Sequence, residues 1–122
     1  METVAVVLSV GANHVDAFET GFREHELPVW KDLQGRGLLV GATLNKLDIS
    51  SRPVDGATQY LVVAVFATGE GHHAHDAHPG FEAWNAIADT YQIAGALAFG
   101  GEAVVQLTDA AERSWPAGSA DE

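Results

Sequence analysis

Cysteine is absent from the 122 residues. Disulfides, thiolate metal sites and a cysteine nucleophile are excluded with it. Basic residues are scarce: six Lys and Arg stand against 17 Asp and Glu, a formal charge of −11. That field repels a phosphate backbone and an anionic lipid surface, so neither nucleic acid nor membrane is an expected partner. The apolar run near the N-terminus, Val4 to Val10, is too short for a membrane span or for a signal-peptide core with its cleavage site. A cytoplasmic location is the expectation. No phosphate loop is present, because the glycines around 69–71 and 100–101 lack the lysine and the helix such a loop needs. The serines lack a nucleophile elbow.

What is present is an ordinary globular composition, 47% hydrophobic and 19% charged. The length suits one domain, expected over residues 1–108, with a C-terminal tail at 109–122 that has Trp115 as its one candidate anchor. Val4 to Val10 is β-branched and apolar at nearly every position, which predicts a strand buried on both faces. Val15, Phe18, Phe22, His25, Val29 and Leu33 then recur at spacings of three and four, one stripe of a long helix. Two residues disturb it. Gly21 costs about 1 kcal/mol relative to alanine, and Pro28 has no N–H and clashes with the carbonyl of Glu24. A kink is expected at Glu26–Leu27, with Gly35 as a left-handed cap at the helix end.

Further strands are expected over Leu38 to Ile49, with a bulge at Asn45–Leu47, and over Gln59 to Thr68. Gly69 to Gly80 reads as a polar loop, and a second helix as Pro79 to Gln92. A last strand lies within Ala94 to Leu107, with Gly100-Gly101 as a bulge or tight turn. The order β-α-β-β-α-β predicts an α+β, ferredoxin-like fold: a four-stranded antiparallel sheet with two helices on one face. Since the first and third strands are apolar on both faces, the face opposite the helices needs a cover. A second copy of the sheet is the simplest one, giving a homodimeric α+β barrel.

Three groups of residues are candidates for chemistry. His25 sits on the apolar stripe beside the proline break. It is either a general acid/base projecting between helix and sheet, or a side chain that caps a carbonyl freed by Pro28. His72-His73-Ala74-His75-Asp76-Ala77-His78 carries imidazoles and a carboxylate. His73, His75 and His78 are candidate ligands for zinc, nickel or copper, and the plainer reading is a solvated loop with His78 or Asp76 capping the second helix. Trp30, Trp84, Tyr60, Phe66 and Phe99, together with Phe22, could line a pocket for a flat ligand, or be core. Arg23 is one of few cations able to hold an anionic substrate.

The βαββαβ order over residues 3–108 resembles the dimeric α+β barrel superfamily. The segment with Phe22, His25, Pro28 and Gly35 is similar to the helix end of EthD-like proteins. Gly37-Leu38-Leu39-Val40-Gly41-Ala42 and Ala88-Asp89-Thr90-Tyr91-Gln92-Ile93-Ala94-Gly95 resemble YCII-type proteins, although Thr90 stands where those carry proline. The resemblance implies a His–Asp pair, here His25 and Asp89, in which the carboxylate fixes the imidazole tautomer and raises its basicity. It also implies a small-molecule enzyme of cofactor-independent acid/base chemistry: isomerase, dehydratase, decarboxylase or monooxygenase, acting on an aromatic or polyketide-like molecule. The alternatives are a metal-binding protein built on the 72–78 segment and a non-catalytic ligand-binding module.

Overall fold

The computed structural model describes residues 1–107. The tail expected at 109–122, with Trp115, lies outside the described residues. Four strands form one antiparallel sheet: β1 (Glu2–Gly11), β2 (Leu39–Lys46), β3 (Ala57–Phe66) and β4 (Leu97–Glu102), in the order β2-β3-β1-β4. This is the ferredoxin-like α+β arrangement that the order of elements predicts. Val4, Val6 and Leu8 pair with Ala64, Val62 and Tyr60 and share the face that the helices cover. Ala5 and Val7 pair with Val63 and Leu61 on the opposite face, where these residues are half-buried.

Between β1 and β2 runs the long helix, in three parts. After a single 3-10 turn at Ala12–His14 come α1 (Val15–Gly21), a π-turn (Phe22–Glu26) and α2 (Leu27–Gly35). The expected kink is this π-turn. Leu27 N–H bonds to the Phe22 carbonyl, five residues back, so one extra residue is accommodated just ahead of Pro28. Phe18, Phe22, Val29 and Leu33 stay in the core.

The helix end differs from expectation by two residues. Gly35 is still helical, and Gly37, at φ 75°, takes the left-handed position. Gly37 N–H bonds to the Gln34 carbonyl and Leu38 N–H to the Leu33 carbonyl, which satisfies the last carbonyls of α2. Gly21 has a packing reason: a Cβ there would stand 2.5 Å from the Trp84 ring, so glycine lets α1 approach the helix that carries that tryptophan.

Other expectations shift as well. The bulge in β2 falls at Val40, between Leu39 and Gly41, and not at Asn45–Leu47. Gly100 and Gly101 lie in register within β4, opposite Val4 and Thr3, and make no turn. The polar segment after β3 is not a loop but helix α3 (Gly69–Asp76), followed by α4 (Pro79–Asp89). The link from α4 to β4 is tied across the end of β1: Gly11 N–H bonds to the Tyr91 carbonyl and Ile93 N–H to the Ser9 carbonyl.

Candidate functional site

The helices stand off the sheet far enough to leave a cleft of about 570 Å³. Its floor is Val4, Val6 and Leu8 of β1 with Val62, Ala64 and Phe66 of β3. The long helix supplies Phe22, Glu26 and Trp30 on one side, and α3 and α4 supply His75, Phe81 and Trp84 on the other. Most of this lining is apolar or aromatic, the usual character of a small-molecule site. Phe22 meets Trp30 edge-on at 5.2 Å and Trp84 edge-on at 6.2 Å, which fixes the aromatic wall.

One carboxylate is sunk into that wall. Glu26 is 4% exposed. His75 Nε2 lies 2.6 Å from Glu26 Oε2, and His75 Nδ1 lies 3.0 Å from Asp76 Oδ1. Both ring nitrogens therefore face carboxylates, the geometry of an imidazolium. Burial pulls the His75 pKa down, but the hydrogen bonds and charges of Glu26 and Asp76 outweigh it and hold it above the ordinary histidine value. Exposure rises along the chain of groups: the His75 side chain is 13% exposed and that of Asp76 57%. Asp76 also meets His72 Nε2 at 3.3 Å. The second oxygen of Glu26, Oε1, is buried and has no hydrogen-bond partner among the described residues.

The sequence-predicted residues divide. Phe22, Trp30, Phe66 and Trp84 line the cleft, and Asp89 lies on its rim at the end of α4. His25 does not enter it. The extra residue of the π-turn rotates the helix so that Glu26 takes the inward position, and His25 is exposed, stacked over the outside of Trp84 at 5.6 Å. The expected His25–Asp89 pair is therefore not brought together.

Tyr60 and Arg23 belong to a second, smaller hollow on the β2 side of the long helix. There Tyr60 O–H donates to Glu19 Oε2 at 2.6 Å, and Lys46 Nζ meets the same oxygen at 2.8 Å. Burial and Glu19 push the Tyr60 pKa up; the Lys46 and Tyr60 bonds draw that of Glu19 down.

The three candidate metal ligands point to different places. His73 is exposed and stacks on His72, His75 turns inward to Glu26, and His78 caps α4. His78 Nδ1 accepts from Gly80 N–H at 3.0 Å, so its Nε2–H donates to Asp32 at 3.1 Å. No group of three or more His, Asp or Glu side chains placed to hold a metal ion is found among the described residues. α3 leaves His73 exposed while His75 turns inward, and His78 lies beyond the end of that helix.

Glu26 is the residue that the sequence pattern did not single out. Its signal was available, since it stands four residues after Phe22 and three before Val29, on the same stripe as His25. Choosing between the two required knowing the turn that Pro28 induces.

No protein-family model and no curated protein matches the sequence. Solved structures do match in fold. A proposed antibiotic biosynthesis monooxygenase from Nitrosomonas europaea superposes with a TM-score of 0.68 at 12% identity, over 84% of this chain and 89% of that one. HapK from Hahella chejuensis gives 0.68 at 16% identity, over 90% and 99%. The fold they share with this chain is the ferredoxin-like α+β fold. SnoaB from Streptomyces nogalater, a cofactor-independent oxygenase, shares this fold with a TM-score of 0.61 at 18% identity, over 88% of this chain and 98% of that one.

Proposed function

We propose that the protein is a small-molecule enzyme that uses Glu26 as its acid/base group in an otherwise apolar cleft. The observation that carries this reading is the buried Glu26–His75 pair at 2.6 Å in the wall of the cleft, with Glu26 Oε1 buried and without a hydrogen-bond partner among the described residues. A buried carboxylate that keeps one oxygen free is poised to exchange a proton with a bound molecule. His75 balances its charge, and Asp76 fixes the His75 ring from the far side. Trp84, Trp30 and Phe22 suit a flat, aromatic or polyketide-like substrate.

The fold shared with a cofactor-independent oxygenase supports dioxygen as the co-reactant and a reaction that needs no resident cofactor. Under this reading Glu26 replaces His25 as the group that moves the proton, and Asp89 contributes at the rim.

A homodimer completes the proposed molecule. Phe99 pairs with Ala5 on the face of the sheet away from the helices and is 63% exposed, next to half-buried Val7, Leu61 and Val63. A second sheet laid on this face would remove the apolar patch from water.

The test is turnover of a panel of hydroxylated naphthalenes and anthracenes in air, followed by oxygen uptake and mass spectrometry of the product. Conversion by the wild type that falls by about a hundredfold or more in Glu26→Gln is the expected result. Binding without conversion across the panel would make the protein a ligand-binding module instead. Conversion untouched by Glu26→Gln would remove Glu26 from the chemistry.

A further inference from the structure

The cleft runs along β1, and its two ends are closed in different ways. At the Gly11 end the chain between α4 and β4 is tied to the sheet by backbone: Gly11 N–H bonds to the Tyr91 carbonyl at 2.9 Å and Ile93 N–H to the Ser9 carbonyl at 3.0 Å. At the Glu2 end stands α3, whose His72, His75 and Asp76 line the cleft. Among the described residues no backbone hydrogen bond joins Gly69–Asp76 to the sheet or to another helix. Side chains hold it instead. His72 stacks on Phe66 at 5.4 Å, and its Nδ1 lies 3.3 Å from Glu2 Oε1 without making a hydrogen bond. His75 reaches Glu26 at 2.6 Å and packs on Phe81 at 4.3 Å.

We infer that α3 is the gate of the cleft: it swings off the Glu2 end as a unit to admit and release the ligand, while the Gly11 end stays shut. The residues that flank it, Thr68 and His78, both have extended backbone and serve as its hinges. The gate is needed whether the cleft converts its ligand or only holds it.

Two features make α3 the element that moves. The first is its weak helical tendency. Gly69 and Gly71 each cost about 1 kcal/mol relative to alanine, and a helix of 8 residues does not stand alone in water. Docking sustains it, so it opens at a lower cost than the core strands do. The second is its seat. Gly71 is buried, and a Cβ there would stand 2.5 Å from the Leu38 carbonyl oxygen and 3.2 Å from Phe66. Glycine lets α3 sit down on the turn before β2, and a methyl group at this position props the gate open. Opening uncovers the nearest part of the cleft floor, Phe66 and the Val4–Ala64 pair.

Hydrogen exchange of the full chain at one pH, read amide by amide, tests the motion. The amides of His72 to Asp76 are expected to be protected about tenfold or more less than those of β1 and β3. Gly71→Ala should lower the protection of α3 further and leave β1 and β3 as they are, which also reports that the variant folds. If it does not fold, Glu2→Gln, which weakens the hold on His72, takes its place with the same predicted direction. Exchange of the α3 amides at the same rate as those of β1 and β3 would overturn the inference. Passage is read by a thiol. The chain has no cysteine, so Ala64→Cys places a single one on the cleft floor. Its reaction with N-phenylmaleimide, a flat probe, should quicken about fivefold or more when Gly71→Ala is added. An unchanged rate would mean that α3 does not control entry, and would overturn the inference equally.

Discussion

Glu26 and His75 show how one residue's surroundings decide its role. A glutamate on a helix is ordinarily solvated, and a histidine in a run of histidines ordinarily suggests a metal. Here burial and a 2.6 Å contact make them a charge pair. The pH consequence has a definite sign. Because the His75 pKa is raised in the fold, the pair's contribution to stability is complete below the ordinary histidine value of about 6.5 and is lost as pH rises through the raised one. Thermal unfolding followed from about pH 6 to about pH 9 should show a melting temperature that falls with rising pH, and Glu26→Gln should flatten that fall. A wild-type profile flat over that range would count against the pair. From sequence, His75 was visible as a candidate but its partner was not. Glu26 and His75 are 49 residues apart along the chain, and no local pattern links them.

At the scale of elements, the strands and the long helix were legible because their apolar periodicity is strong, as in Val4 to Val10 and in the stripe from Phe18 to Leu33. The helix α3 was not. Gly69-Glu70-Gly71-His72-His73 has two glycines and little apolar character, so propensity opposes it. Packing decides instead: His72 and His75 lie against Phe66, at 5.4 and 6.1 Å, and His75 against Phe81 at 4.3 Å. The π-turn was half legible. Pro28 announces a disturbance, but whether the chain bends or gains a residue depends on which side chain the core accepts. Gly21 gives the sharpest test at this scale. Propensity alone predicts that Gly21→Ala stabilises the helix by about 1 kcal/mol. The Trp84 ring at 2.5 Å from the added methyl predicts the reverse, a loss of about 1–3 kcal/mol from overpacking against a buried tryptophan. Urea denaturation of the variant distinguishes the two by sign.

For the whole molecule, the two faces of the sheet are covered differently. One is closed by helices of the same chain around Phe18, Leu33 and Tyr60. The other is apolar and covered by no helix of the described chain. The runs in β1 and β3, apolar at both parities, make this second face legible in the sequence itself. The proposed homodimer predicts a particle of twice the chain mass of 12.9 kDa in light scattering. Phe99→Glu, which sets a charge on the exposed face, should shift it towards the monomer. A wild type that is monomeric at high protein concentration would contradict this use of the face.

At the centre of the proposed site is an imidazolium held against a buried carboxylate in the cleft. Nuclear magnetic resonance titration of the His75 ring, with Glu26→Gln beside the wild type, tests that pairing directly. The predicted result is a His75 that titrates above the ordinary histidine value in the wild type and drops back in Glu26→Gln. A His75 that titrates at the ordinary value in both proteins would contradict it.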